Sequence, residues 1–277
     1  MSDLMTSNSA FYVSFELRVP SNCEGCDEYE EDFKQVIKEQ EKKRIFFQHR
    51  SPQISFRKHL VQHLKNICGE KSLSRCCLHL SVYLLDIFMD NHKIAAEKLL
   101  LVGNVCLLLA AKFEEHSAGV PKISELNAFV DNKYEVSDYN DVEILVLKFY
   151  QFFLKFPCAA HHVFYYINEM ISLDDVNGET TFRTLFFDVF ENIKMYLNWI
   201  LDDIHYVQYY QPSKLAAAII AASRIQNGLV PWTKQLEDST TYTEGQFEEI
   251  LQNLLKKNVL YCAKCDLPNL TNTNIEI

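Results

Sequence analysis

The run Leu99-Leu-Leu-Val-Gly-Asn-Val-Cys-Leu-Leu-Leu-Ala-Ala111, followed at once by Lys112-Phe113-Glu114-Glu115, decides how the rest of the chain is read. It is shorter than the roughly 20 residues that a helix needs to cross a bilayer. It is apolar on every side, carries Asn104 in its middle and ends in a burst of charge. Such a helix belongs at the centre of a bundle, covered by its neighbours. The small residues Gly103, Ala110 and Ala111 suit close helix approach, and Lys112-Phe-Glu-Glu115 marks where the rod reaches a surface.

Composition narrows the classes. A chain of 277 residues suggests two modest domains. The hydrophobic fraction of 48% is that of a folded protein, and seven Gly and seven Pro are few enough to favour long helices with short connections. A net charge of −10 opposes general nucleic-acid binding and anionic membranes, both of which call for excess Lys and Arg. Residues 1–8 have neither the basic nor the apolar region of a signal peptide. The nine Cys are scattered and odd in number, as in reduced thiols. These features together predict a soluble intracellular protein, and no run is long enough to span a membrane.

Working outward, Phe11, Val13, Phe15, Leu17 and Val19 alternate with polar residues, which predicts a strand-like arm ending at Pro20. An amphipathic helix is predicted from Asp27 to about Gln48, with Tyr29, Phe33, Val36 and Ile37 on one face. Lys42-Lys43-Arg44 reads as its solvated end, with help in nuclear import as the alternative. Ser51-Pro52 opens a helix to about Gly69, followed by Ser72–Met89, the central helix over 94–115, a short helix from Val120-Pro121 through Phe129, and a fifth capped by Ser137. Phe156-Pro157 breaks the chain. A second helical set follows over 159–171, 181–202, 212–226, 231–236 and 243–257. Its own small-residue helix, Pro212-Ser-Lys-Leu-Ala-Ala-Ala-Ile-Ile-Ala-Ala-Ser223, is stopped by Asn227-Gly228. The predicted organisation is a 1–50 arm and helix, two all-α folds over 51–156 and 157–260, and a polar tail over 261–277.

Leu78-His-Leu-Ser-Val-Tyr-Leu-Leu-Asp86, Leu100-Leu-Val-Gly103, Leu107-Leu-Leu-Ala-Ala-Lys-Phe-Glu-Glu115 and Val142-Glu-Ile-Leu-Val-Leu147 resemble, in order and spacing, a cyclin box. The resemblance covers residues 51–156 well and extends more weakly to about 258. Ser51-Pro52-Gln53 leading into Ser55-Phe56-Arg57, and Tyr83-Leu-Leu-Asp86 with Phe88-Met89-Asp90, are most similar to the family's J subgroup. The resemblance implies two tandem five-helix cyclin folds. It implies a regulatory subunit, not an enzyme, that binds and activates a cyclin-dependent kinase by positioning its αC (PSTAIRE-type) helix. It also implies a role in cell-cycle control in nucleus and cytoplasm, with substrate or inhibitor proteins as further partners and no cofactor. Carried over by position, Lys112 and Glu143 are the charged pair that bonds kinase backbone. Leu109, Phe113, Leu147 and Leu154 form the apolar socket, and Arg57 and Asp86 form an internal ion pair. Outside that motif, Lys112 and Glu143 would read as an ordinary surface pair and the four apolar residues as core. The family's first-helix patch for Arg-x-Leu peptides falls on Phe56, His59, Leu60 and His63, where His63 replaces the usual Trp. With Asn66 and Leu100 beside it, a peptide Arg has no acidic partner there, so the patch is read as degraded. The alternative function keeps the fold and removes the kinase: an adaptor for another protein or a transcription complex.

Other chemistry is sparse. Cys23-x-x-Cys26 and Cys262-x-x-Cys265 have the donor set of a Cys₄ zinc site but lie at opposite ends of the chain. They are read as free thiols, with a shared zinc as the lesser alternative. His59 and His63 lack the Glu of a His-Glu-x-x-His motif. Glu114-Glu115 reads as a solvated helix end. There is no glycine-rich phosphate loop and no Ser/His/Asp signature.

Overall fold

The computed structural model describes residues 30–176 and 181–265. The strand-like pattern over 11–19, Tyr29, and Cys23 and Cys26 lie outside the described residues. Those residues form twelve α-helices and no strand: α1 (Glu30–Lys42), α2 (Arg57–Lys71), α3 (Arg75–Asn91), α4 (Leu99–Glu114), α5 (Ile123–Ala128), α6 (Val136–Phe149), α7 (Ala159–Tyr165), α8 (Phe182–Ile200), α9 (Ile204–Gln208), α10 (Pro212–Gln226), α11 (Lys234–Thr240) and α12 (Glu248–Cys265). The all-α expectation holds. No helix among the described residues is long and apolar enough to cross a membrane.

Two compact units share the chain. The first takes the described residues up to Ile167 together with Leu197–Ser213, and the second takes Asn168–Tyr196 and the described residues from Lys214 onward.

In the first unit α4 is the buried rod. Every residue from Leu101 to Ala111 is buried. Its polar intruder is satisfied on three sides. Asn104 Nδ2 donates to Leu126 O (3.1 Å) and to Tyr139 Oη (3.0 Å), and Asn104 Oδ1 lies 2.8 Å from His63 Nε2. The helices α2, α5 and α6 are thus tied to one side chain, because an unpaired buried amide costs ~1–3 kcal/mol. Gly103 is not demanded by crowding: a Cβ there would meet Leu64 at an ordinary 3.9 Å.

The helix α3 is held from both ends of the unit. Arg57 on α2 makes a buried two-pronged bond to Asp86, Nε to Oδ1 at 2.8 Å and Nη2 to Oδ2 at 2.9 Å, while Nη1 donates to Leu201 O at 2.9 Å. Asp90 accepts the N–H groups of Gln48 (2.5 Å), Arg50 (2.6 Å) and Ser51 (3.1 Å). Those three bonds explain why α1 stops at Lys42 and not near Gln48: the following backbone must extend to deliver its donors. Of Lys42-Lys43-Arg44, the two lysines are exposed as a solvated end would be, whereas Arg44 turns inward. Its Cζ sits 4.0 Å from the centre of the Tyr83 ring and its guanidinium donates to Pro157 O and Val207 O, both at 3.0 Å. Upstream, Glu41 is buried and accepts Ser213 N–H (2.7 Å), Ser213 Oγ–H (2.9 Å) and Gln211 Nε2 (3.0 Å). Burial raises the Glu41 carboxyl, but its His162 and Ser213 neighbours outweigh that and hold it below its ordinary value.

Several boundaries move for local reasons. The helix α2 continues past Gly69 to Lys71, where Ser72 takes the left-handed cap at φ 54°. The helix α3 starts at Arg75 and not near Ser72, capped by Ser74, which accepts the Cys77 N–H. Glu135, not Ser137, precedes α6, and its N–H donates to Asp138 at 3.0 Å. The five-residue helix α9 is too short to show periodicity and was not anticipated.

In the second unit, Leu215–Ala222 of α10 are fully buried, as the small-residue run predicts. Gly228 (φ 69°) ends α10, with Leu229 N–H returning to Arg224 O at 3.0 Å. Arg224 is a buried anchor that sequence reading missed. It donates to Asp175 Oδ1 (2.7 Å) and Oδ2 (2.9 Å), Met170 O (2.6 Å) and Val230 O (2.8 Å). The helix α12 extends to Cys265, so residues 261–265 are helical and not polar tail.

Two stability predictions follow from this packing. Asp86→Ala strands a buried guanidinium and is expected to cost about 3–5 kcal/mol in denaturant unfolding, with much of the loss recovered in Arg57→Met/Asp86→Leu. Burial depresses the fully buried His79, whose Nε2 lies 3.1 Å from Leu197 O, to about 3, against 6.5 when unfolded. The unfolded chain therefore takes up this proton first as pH falls. Stability is full above pH 6.5 and declines toward pH 3 by up to about 1.4 kcal/mol per pH unit from this group. His79→Gln is expected to flatten that slope in a series of urea titrations.

Candidate partner-docking site

Lys112 and Glu143 meet at the exit of α4. Lys112 Nζ lies 2.5 Å from Glu143 Oε1, with the side chains 47% and 17% exposed. Lys112 is third from the end of α4, two residues before Glu114, and Glu143 sits mid-way along α6, one turn before Leu147. Position i+4 places Leu147 on the same face as Glu143.

The four apolar residues predicted beside the pair do not share one environment. Phe113 is 47% exposed, Leu147 and Leu154 are half-buried against the core, and Leu109 is 3% exposed and belongs to the core. Leu109 can therefore shape the surface only from beneath. Other apolar side chains take the exposed places: Ile144 and Leu145 on α6, and Phe152 at 70% exposure. Phe152 follows α6 in a left-handed pair, Gln151 at φ 50° and Phe152 at φ 60°, with Phe152 N–H bonded to Leu147 O at 2.8 Å. A bulky residue in that region is uncommon and costs on the order of 1–3 kcal/mol, so surrounding structure must hold it there. Neither Gly nor Asn marks the turn, so no residue pattern announces it.

Glu114 and Glu115 are not a solvated end. Glu115 Oε1 accepts the Ser74 N–H at the start of α3 (2.7 Å), and Glu114 Oε1 lies 3.0 Å from His161 Nε2. Cys76, Glu114 and His161 bring donor atoms within 4.8 Å of one another. The ring's orientation argues against a metal there. His161 Nδ1 faces the Cys158 N–H (3.0 Å) and Nε2 faces Glu114 (3.0 Å), so both ring nitrogens are already engaged and neither offers a free lone pair to a cation. Cys262 and Cys265 lie in the last turn of α12, and their proposed partners fall outside the described residues.

The first-helix patch is split. Phe56 and His59 are exposed, Leu60 is buried, and His63 is half-buried with its Nε2 committed to Asn104. Leu60 is thus a core residue and not part of a surface patch. Burial, with help from nearby His59, keeps the His63 ring below its ordinary value, partly offset by the Asn104 bond.

The chain matches the family model described as "Cyclin, N-terminal domain" over residues 28–155 and that described as "Cyclin, C-terminal domain" over residues 144–264. It is 32% identical over 232 residues to Cyclin-J of Homo sapiens, covering 81% of this chain and 59% of that protein. To Cyclin-J of Xenopus laevis it is 30% identical over 237 residues, covering 81% and 60%. To the G2/mitotic-specific cyclin-A of Drosophila melanogaster it is 28% identical over 232 residues, covering 82% and 44%. The chain spans less than two thirds of the length of these relatives. In fold it is similar to a viral cyclin from herpesvirus saimiri (TM-score 0.65, 16% identity, 81% of this chain and 95% of that one). It is also similar in fold to a chain of the yeast RNA Pol II CTD kinase CTDK-1 complex (TM-score 0.57, 13% identity, 87% and 77%).

With Lys112 47% exposed and Glu143 17% exposed, solvent screens the lysine end of the pair, which contributes on the order of 1 kcal/mol to folding. Lys112→Ala/Glu143→Ala is therefore expected to unfold within about 1 kcal/mol of wild type in urea, with unchanged far-ultraviolet circular dichroism.

Proposed function

We propose a function from one premise: this chain belongs to the cyclin family. It is a regulatory subunit that binds a cyclin-dependent kinase and activates it by holding the kinase's αC helix, of PSTAIRE type, in its inward position. Activation is then a population shift. The chain binds the inward conformation better than the outward one, and the kinase follows that difference in affinity. Cell-cycle control in nucleus and cytoplasm is the setting this reading assigns.

The observation that carries the reading is the Lys112–Glu143 pair, open to solvent at its lysine, beside the exposed Phe113. Lys112 offers donors and Glu143 acceptors to a partner's backbone. Phe113 offers apolar area, and Leu147 and Leu154 are less exposed. The charge pair adds little to folding, which leaves it free to serve a partner. The relatives named Cyclin-J support the family part of this reading, and the CTDK-1 complex is a kinase assembly containing a chain of this fold. The first fold makes the main contact in this account, and the split first-helix patch does not recruit Arg-x-Leu peptides.

The test is equilibrium binding to purified PSTAIRE-type kinases. Wild type is expected to bind, and Lys112→Ala/Glu143→Ala to bind about tenfold or more weakly while remaining folded. Equal affinity of the two would remove the site. Failure of folded wild type to bind any such kinase would favour an adaptor role for the same fold.

A further inference from the structure

Both acidic residues at the exit of α4 reach backward to the first residues of other helices. Glu115 accepts the Ser74 N–H at the cap of α3 (2.7 Å). Glu114 meets His161 Nε2 at 3.0 Å, and the Nδ1 of that ring accepts the N–H of Cys158, the cap of α7, at 3.0 Å. His161 is thus a two-ended brace whose ring is oriented by a backbone donor and whose proton points at a carboxylate. The braced residue stands immediately after Phe113 and two places after Lys112.

We propose that His161 is a positioning residue for the docking surface: it fixes the Glu114 side chain and so the direction in which the turn presents Lys112 and Phe113. The geometric part concerns the free chain. Its consequence for affinity rests on the kinase-binding reading above. His161 lies some fifty residues from Lys112 in sequence, and no pattern in the helical periodicity connects them. Only the meeting of α4 and α7 does. The chemistry required at 161 is specific: one acceptor for the Cys158 N–H and one donor for the Glu114 carboxylate, on a single side chain.

Substitutions at this position separate bracing from capping. At the third residue of a helix, Gln and Glu both accept the cap's N–H. Gln also carries an amide donor for Glu114, whereas Glu presents a second negative charge. His161→Gln is therefore expected to keep cap and brace, and His161→Glu the cap alone. In the full chain, exchange of the Glu115 amide, which bonds Ala111 O at 2.9 Å, reads the turn directly. It is expected to quicken about tenfold in His161→Glu and to stay within about twofold of wild type in His161→Gln. Glu114→Ala, which cuts the brace and leaves the cap untouched, is expected to match His161→Glu and stands in for it if that variant folds poorly. Affinity for a PSTAIRE-type kinase is expected to fall about fivefold with the brace and to be retained in His161→Gln.

Wild-type exchange at Glu115 in His161→Glu and Glu114→Ala would overturn the proposal whatever the kinase does. If Lys112→Ala/Glu143→Ala weakens kinase binding and the brace variants do not, the docking reading stands and the positioning role falls. If exchange changes as expected while wild type binds no kinase, the brace is upheld in the free chain and the docking reading is what fails.

Discussion

Hiding one polar side chain inside an apolar rod is the constraint on which the first unit depends. The helix α4 is buried over nearly its whole length, so every neighbour must cover it, and greasy contact alone would leave their rotation loosely specified. Asn104 removes that freedom. Its amide must find partners, and it finds them on α2, α5 and α6 at once. A rotation of any of the three strands a buried group. The Arg57–Asp86 pair does the same for α2 and α3, with the spare guanidinium N–H fixed on Leu201 O. Packing provides the bulk of the stabilisation, and these few polar bonds select one arrangement of it.

That selection has a consequence at the surface. Because α4 is fixed along its length, its last turn emerges in one place and one orientation. The side chains there divide by role. Leu109 stays inside, Lys112 and Phe113 face outward, and Glu114 and Glu115 turn back to grip other helices. The exposed pair is cheap to keep and cheap to lose for the fold. Its neighbours in the chain are not, and a binding surface gains from standing on a support that does not move.

Much of this was legible in the sequence. The all-round hydrophobicity of 99–111 announced the buried helix, and Asn227-Gly228 announced the end of α10. The spacing from Leu78 to Leu147 was enough to suggest the family. What escaped reading was set by contacts distant in the chain. The extended 43–50 segment is dictated by Asp90 and Tyr83, not by its own helical pattern. The left-handed Gln151-Phe152 corner lacks the Gly or Asn that advertises such turns. Arg224 directly follows a small-residue run that says only that the helix is buried. Glu114 and Glu115 look like a solvated end because helix termini usually are, and only the folded chain shows which N–H groups they meet. Local pattern carried the elements; polar pairing across the fold carried the corrections.

The central claim is that a rigidly held α4 exit shifts a kinase toward its active conformation. Its most direct test is titration of the full chain into a purified, inactive PSTAIRE-type kinase while histone phosphorylation is followed. The account predicts saturable activation that rises with the bound fraction. Tight binding without any gain in phosphorylation would contradict it, because a ligand that prefers neither kinase conformation cannot move the balance between them.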